Sequence, residues 1–169
     1  MSDIEEDLDA VICDPDVVEQ ARTEPHEYIV RGLWTSMLSE LKYVPSRGYI
    51  VYTDYKIETS GEFPDIGVCV VKRVTNPQSC VLIIECKDHQ QLEPAGPGFR
   101  HHQNQLDGYL RNEDCKYGIL AMGDQCRFYR FQDGVFTDDG DTYDLTDDPD
   151  TVVDLLREFR NTQEFDLDF

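Results

Sequence analysis

The chain has 169 residues, which is enough for one domain with a sizeable core, and its formal net charge is −20. That charge argues against tight non-specific binding to DNA, because DNA phosphates repel an acidic surface. No apolar run is long enough to span a bilayer, so no membrane partner is predicted.

The acidic residues are concentrated at the two ends of the chain. Residues 1–20 contain eight acids and no base, and residues 133–169 contain thirteen acids and two arginines. This division predicts an acidic N-terminal flank over residues 1–22, a core over 23–132 and an acidic C-terminal extension over 133–169. We expect residues 1–20 to contribute little to the core. The apolar spacing in residues 151–159 predicts a packed helix in the extension.

The first long helix is predicted to begin at Glu24-Pro25-His26-Glu27, with Pro25 near its first position. Two of its acids, Glu27 and Glu40, fall at opposite edges of the apolar stripe, and each is a candidate for a site formed with other elements. The stripe itself consists of Ile29, Leu33, Met37 and Leu41.

Two apolar strands, predicted over residues 65–71 and 79–87, are joined by turn residues 75–78 and read as an antiparallel hairpin. Residues 81–84 are apolar on both faces, which indicates a buried central strand, yet that strand ends in Glu85-Cys86-Lys87. The hairpin brings Asp65 opposite Glu85 and Lys87.

Two facing carboxylates repel each other unless a cation lies between them. Oxygen ligands favour Mg²⁺ or Mn²⁺, which bind phosphate oxygens as well as carboxylates. Asp65 and Glu85 therefore predict a divalent metal site, and the reaction class it favours is phosphodiester hydrolysis.

A Pro/Gly loop at residues 93–98 precedes a helix predicted over residues 99–111. Gln105 and Tyr109 are four residues apart and share one face of that helix. Two further strands are predicted over residues 116–123 and 126–131.

With these elements the chain resembles the PD-(D/E)xK nuclease superfamily, over roughly residues 24–132. The matching pieces are Pro64-Asp65, Glu85-Cys86-Lys87 and Gln105-x-x-x-Tyr109, of which the last is typical of the RecB-like and type I restriction subunit branches. The resemblance implies an α/β fold with a restriction endonuclease-like core, in which a central mixed β-sheet is flanked by helices. It also implies an Mg²⁺- or Mn²⁺-dependent endonuclease or exonuclease that acts on DNA.

The resemblance assigns a role to each matching residue. Asp65, Glu85 and the backbone carbonyl of Cys86 would hold the metal ion, and Lys87 would position the attacking water. Gln105 and Tyr109 would support the lysine or the phosphate from their helix.

Family members often carry a further acid early in the first helix. This favours Glu27 as an additional metal ligand, with Glu40 as the alternative.

A function of a different class fits the same sequence. In that hypothesis the chain is a catalytically silent nuclease-fold module whose acidic flanks bind a protein partner. The intact Asp65, Glu85 and Lys87 favour the enzyme, whereas the net charge of −20 favours the module. DNA is the predicted partner, and a protein is the second candidate.

The six cysteines show no Cys-x-x-Cys pair and no zinc-finger spacing. Together with an acidic N-terminus that lacks a signal sequence, they predict reduced, mostly buried thiols in an intracellular protein of the cytoplasm or nucleus.

Overall fold

The structure is a computed structural model that describes residues 14–57, 59–70, 79–92 and 98–169. Within these residues the chain forms four α-helices and seven strands. The helices are α1 (Pro15–Thr23), α2 (Glu27–Glu40), α3 (Gly98–Glu113) and α4 (Pro149–Thr162). The strands are β1 (Tyr49–Thr53), β2 (Ile66–Val70), β3 (Ser79–Lys87), β4 (Tyr117–Met122), β5 (Gln125–Gln132), β6 (Val135–Asp138) and β7 (Tyr143–Asp144), and short 3₁₀ helices cover Pro45–Arg47 and His89–Leu92.

The strands form one mixed sheet in the order β1-β2-β3-β4-β5-β6, and β7 also pairs with β5. Strands β3 and β4 run parallel, and the other strand pairs are antiparallel. A parallel pair needs a crossover connection, which α3 supplies. The predicted α/β domain with a central mixed sheet flanked by helices is therefore confirmed.

Helices cover both faces of the sheet. On one face, residues of α1, α2 and α4 pack against Leu82 and Ile84 of β3. On the other face, α3 packs through Leu106 and Leu110 against Ile83. Burial on both faces explains the continuous apolar run in β3, as expected for a central strand.

Helix α2 differs from its prediction in its start and in its buried face. It begins at Glu27, with His26 as N-cap, so Pro25 lies two residues before the helix. Ile29 is only half-buried. The apolar stripe is wider than predicted because α2 contacts both the sheet and α1. Its buried residues are Val30, Leu33, Trp34, Met37 and Leu38.

The hairpin forms with Ile66 of β2 opposite Ile84 of β3, and its register shifts between Val68 and Cys69. Strand β2 starts one residue later than predicted, so Asp65 lies just before it. The predicted turn at residues 75–78 lies outside the described residues.

The described parts of both acidic ends, residues 14–22 and 133–169, are part of the fold. Helix α1 buries Val18 and Ala21, of which Val18 falls within residues 1–20, so the described part of that segment, residues 14–20, adds one buried side chain to the core. The predicted C-terminal helix is confirmed as α4, which buries Leu156 and Phe159. Strands β6 and β7 extend the same sheet. Among the described residues, no helix is both long enough and apolar enough to cross a membrane.

Candidate metal centre

Asp65 lies at the end of the hairpin where β3 finishes. Its backbone carbonyl accepts a hydrogen bond from the Asp54 N–H at 2.8 Å, which holds it directly before β2. Its side chain is buried, and Oδ2 accepts a hydrogen bond from the Cys86 N–H at 2.7 Å. The structure thus brings Asp65 to the end of β3 that carries Glu85, as the hairpin pattern predicted.

Glu85 is 3% exposed and its two carboxylate oxygens have different surroundings. Oε1 accepts a hydrogen bond from Lys87 Nζ at 2.7 Å, whereas Oε2 is buried without a hydrogen-bond partner. Burial, followed by the charge of Asp65, raises the pKa of Glu85 to about 7. A buried carboxylate oxygen that lacks a donor is costly, so this oxygen favours added positive charge, either a bound proton or a cation.

Lys87 has a side chain that is only 14% exposed and lies between two acids. Its Nζ is 2.7 Å from Glu85 Oε1 and 3.6 Å from Glu27 Oε2. Burial alone lowers the pKa of Lys87, but the hydrogen bond to Glu85 and the nearby carboxylates outweigh burial and raise it. Lys87 therefore stays an ammonium group.

The backbone of Cys86 passes directly beside Asp65. The Cys86 N–H points to Asp65. Because the N–H and C=O of one strand residue face the same neighbouring strand, the Cys86 C=O is directed to the same side of β3. The Cys86 side chain lies in the core on the opposite face from α3. The Asp65 and Glu85 carboxylates and the Cys86 carbonyl offer only oxygen donors, the type of donor that a hard divalent ion prefers.

The two candidate acids of α2 lie at opposite ends of the helix. Glu27, in the first turn, contacts Lys87 and is half-exposed. Burial and then the charge of Asp65 raise the pKa of Glu27, against the lowering effect of Lys87. Glu40 is exposed in the last turn. Because a helix rises about 1.5 Å per residue, Glu40 lies about 20 Å from Glu27 along the helix axis. The structure brings Glu27 to the site and leaves Glu40 outside it.

Gln105 and Tyr109 bond to each other on α3. Gln105 Nε2 donates a hydrogen bond to the Tyr109 hydroxyl at 2.6 Å. Tyr109 is buried in the α3 layer, and its pKa is raised by burial and then by the charge of Glu85, which lies on the same side of the sheet. Gln105 is exposed. Within the described residues no hydrogen bond joins Gln105 to Lys87.

Arg31 is a member of the site that the sequence reasoning missed. Its Nη1 lies 3.0 Å from Asp54 Oδ1 and 3.6 Å from Asp65 Oδ1. Arg31 follows Glu27 by four residues, so both side chains leave the same face of α2. That spacing is the signal from which the sequence can predict Arg31 once Glu27 is chosen.

The fold and the site together define an α/β domain with buried acids and a lysine at one end of a mixed sheet. Comparisons with family models, with curated proteins and with solved structures find no match to this chain. In the part of the chain that the structure describes, no group of three or more His, Cys, Asp or Glu side chains is placed to hold a metal ion. The candidate set is instead two carboxylates with one backbone carbonyl.

Proposed function

We propose that this protein is a metal-dependent nuclease with a restriction endonuclease-like core, which hydrolyses phosphodiester bonds in DNA with Mg²⁺ or Mn²⁺. The observation that carries the proposal is that Glu85 Oε2 is buried without a hydrogen-bond partner. The charge of nearby Asp65 also raises the pKa of Glu85. A divalent cation satisfies such an oxygen and offsets the repulsion between the two acids.

Asp65, Glu85 and the Cys86 carbonyl would hold the ion. These oxygens match the preference of Mg²⁺ and Mn²⁺. The chemistry that such an ion supplies is charge neutralisation at the phosphate and activation of water. Few protein ligands suffice, because Mg²⁺ keeps several waters and binds substrate phosphates.

Lys87 acts in this proposal as a fixed hydrogen-bond donor. Because Glu85 and Glu27 keep it protonated, it is unsuited to remove a proton and suited to orient the attacking water. The same ammonium offsets negative charge that develops on the phosphate in the transition state. Glu27 is a positioning residue for Lys87.

The exposed Gln105 amide is available to the phosphate from the α3 side. Tyr109 orients it through the 2.6 Å hydrogen bond. We therefore assign Gln105 to substrate support and Tyr109 to positioning of Gln105.

The test is incubation with single-stranded, double-stranded and branched DNA, and with RNA, each with Mg²⁺, Mn²⁺ or EDTA. We expect cleavage of DNA in Mg²⁺ or Mn²⁺ and none in EDTA. Asp65→Asn and Glu85→Gln keep the side-chain shape and should abolish cleavage and weaken Mn²⁺ binding measured by calorimetry. Glu40→Gln, on the same helix as Glu27 but far from the site, is the matched control and should behave as wild type. Cleavage that persists in EDTA or in Glu85→Gln would overturn the proposal.

The second candidate is the silent module that binds a protein partner through its acidic flanks. The observation in its favour is the distribution of charge, with thirteen acids and two arginines in residues 133–169. Mn²⁺ binding that depends on Asp65 and Glu85 without cleavage of any nucleic acid would favour this candidate over the enzyme.

A further inference from the structure

His102 of α3 lies on the side of the sheet that Lys87 faces. A helix that connects two parallel strands begins after the first strand ends, so the first turns of α3 lie near the end of β3. Glu85 and Lys87 leave β3 on the same face as Ile83, which is the face that α3 covers. His102 is half-buried in the second turn of α3, three residues before Gln105. Its ring is therefore placed at the α3 side of the candidate metal centre.

A hydrogen bond holds the His102 ring and selects its tautomer. His102 Nε2 lies 2.9 Å from Oε1 of Gln91, in the 3₁₀ helix that follows β3 four residues after Lys87. An amide carbonyl oxygen only accepts hydrogen bonds, so Nε2 carries the hydrogen in this pair. The neutral ring then has its lone pair on Nδ1, which makes Nδ1 the proton acceptor.

The charges around His102 favour its neutral form. Burial, and then the positive charges of Lys87 and His101, lower the pKa of His102 against the opposite effect of Asp88. Lys87 and Asp88 come from the end of β3, and His101 is the preceding residue of α3, with its ring centroid 4.9 Å from that of His102. Because the pKa is lowered from the ordinary value of 6.5, the ring is neutral at pH 7 and above.

Hydrolysis requires a proton to leave the attacking water, and the proposed site needs a group that takes it. In that site Lys87 stays an ammonium group, and the carboxylates of Asp65 and Glu85 hold the ion. These three groups are therefore occupied with other roles. His102 has what a base requires, namely a neutral ring near pH 7 and an acceptor nitrogen whose opposite nitrogen is fixed by the protein.

We propose that His102 is the general base of the nuclease reaction and accepts a proton from the water that Lys87 orients. The proposal rests on the proposed nuclease function and adds a catalytic residue to it. The water oxygen forms a bond to phosphorus as the bond between phosphorus and the leaving oxygen breaks. One water proton passes to His102 Nδ1 and from there to solvent, and the leaving oxygen takes a proton from a solvent water.

The first test compares His102→Gln with the wild-type protein in Mg²⁺ at pH 8, where the His102 ring is neutral. We expect kcat to fall by about 10²–10⁴-fold, the usual contribution of a general base, with KM unchanged. His101→Gln is the matched control, because His101 is the exposed neighbour on the same helix, and it should keep wild-type kcat. Wild-type kcat in His102→Gln would overturn the proposal.

A second variant, Gln91→Glu, leaves His102 in place and changes its charge environment. The new carboxylate still accepts from Nε2, and its negative charge raises the pKa of His102. Since the neutral ring is the active form, kcat is lost as pH falls through that pKa, and Gln91→Glu should lose kcat at a higher pH than wild type. A merely structural role does not predict this shift. Loss of kcat at the same pH in both proteins would overturn the proposal.

Nitrogen-15 NMR of the histidine rings gives a readout that needs neither metal nor activity. In EDTA we expect His102 to be the Nε2–H tautomer at pH 8 and to titrate below 6.5. Lys87→Ala should raise the pKa of His102, because a nearby positive charge is removed. An Nδ1–H tautomer, or a His102 pKa that does not respond to Lys87→Ala, would overturn the proposal.

Failure of the nuclease proposal looks different from failure of the base. A wild-type protein that cleaves no nucleic acid in Mg²⁺ or Mn²⁺ would overturn both. Metal-dependent cleavage that His102→Gln leaves intact would overturn the assignment of His102 alone.

Discussion

At the scale of single residues, burial and charge conflict most directly at Glu85. One carboxylate oxygen is held by Lys87 at 2.7 Å, and the other is buried without a donor. Glu27 and Asp65 add negative charge around the same lysine. Arg31 lies near Asp65 but also pairs with Asp54, so two cations face four acids. An arrangement that is short of positive charge is unfavourable by itself and becomes favourable when a cation is added.

The first prediction concerns Lys87. Lys87→Ala should lower turnover by about 10²–10³-fold, the usual cost of removing one hydrogen-bond donor that stabilises charge developing in the transition state. Metal affinity should stay intact or improve, because a repelling cation is removed. Lys87→Arg should not restore full activity, because a planar guanidinium does not replace a compact ammonium. Cleavage rates and Mn²⁺ calorimetry measure the two effects separately.

Lys116 offers a control for these variants, since it is an ion-paired lysine bound to Glu164 in another part of the fold. Lys116→Ala should leave turnover unchanged. Wild-type turnover in Lys87→Ala would assign Lys87 to the scaffold.

The second prediction concerns the titration of Glu85. Burial and the charge of Asp65 raise its pKa from the ordinary value of 4.5 to about 7. Because the folded state binds this proton more tightly than the unfolded state, the contribution of Glu85 to stability rises as pH falls from 7 to 4.5 and is lost above 7. Glu85→Gln should therefore stabilise the protein more at pH 8 than at pH 5. Urea denaturation at both pH values measures the difference.

Carbon-13 NMR of the glutamate side chains tests the cause of that shift. Asp65→Asn should lower the pKa of Glu85, because the charge of Asp65 is the second largest cause of its elevation. A Glu85 signal that titrates near 4.5 in the wild-type protein would contradict the prediction.

At the scale of elements, the segment before β2 determines where Asp65 lies. Tyr55 N–H donates to the Pro64 carbonyl at 3.0 Å, and the Tyr55 ring packs directly over Gly67. The Tyr55 hydroxyl donates to Glu113 of α3 at 2.5 Å, so this one side chain links the hairpin to the helix that covers it. Only a residue without a side chain allows such a close approach.

The third prediction follows from this contact. A Cβ on Gly67 would lie 2.5 Å from Tyr55 Cγ, so Gly67→Ala must displace the ring. We expect a loss of about 1–3 kcal/mol in the free energy of unfolding, as for other overpacked sites. Gly108→Ala is the matched control, because nothing lies within 4 Å of its Cβ and alanine favours the α3 helix. Equal stability of the two variants in urea denaturation would contradict the packing argument.

At the scale of the whole molecule, the acidic N-terminal segment and the folded part of the chain overlap. Residues 1–20 contain eight acids and no base, but α1, which begins at Pro15 within them, is packed through Val18 and Ala21. A truncation that separates charge from stability must therefore stop before the α1 N-cap, Asp14. Removing residues 1–13 deletes five acids and no base and changes the net charge from −20 to −15.

The fourth prediction is that removal of residues 1–13 strengthens DNA binding, most clearly at low salt, where charges are least screened. Affinity measured over a range of salt concentrations tests it. Removal of residues 1–20 should instead lower the melting temperature, because the buried Val18 and most of helix α1 are lost. DNA affinity that is unchanged at every salt concentration, together with loss of a protein partner, would identify the flank as an interaction segment.

The sequence by itself predicted the features that depend on neighbours along the chain. The apolar run at residues 81–84 indicated a buried central strand, and helical spacing indicated α3 and α4. A short hairpin also constrains its two ends, so Asp65 and Glu85 were predicted at the same end of the sheet. These features follow from periodicity and from strand pairing, which are local.

Only the tertiary structure decided how separate elements meet at the site. It brought Glu27 rather than Glu40 to Lys87, added Arg31 beside Asp65, and left Glu85 Oε2 without a donor. The physical reason is that such contacts depend on the angle and depth at which α2 packs on the sheet. Those are set by side chains from both layers of the core and not by the spacing of residues within one helix.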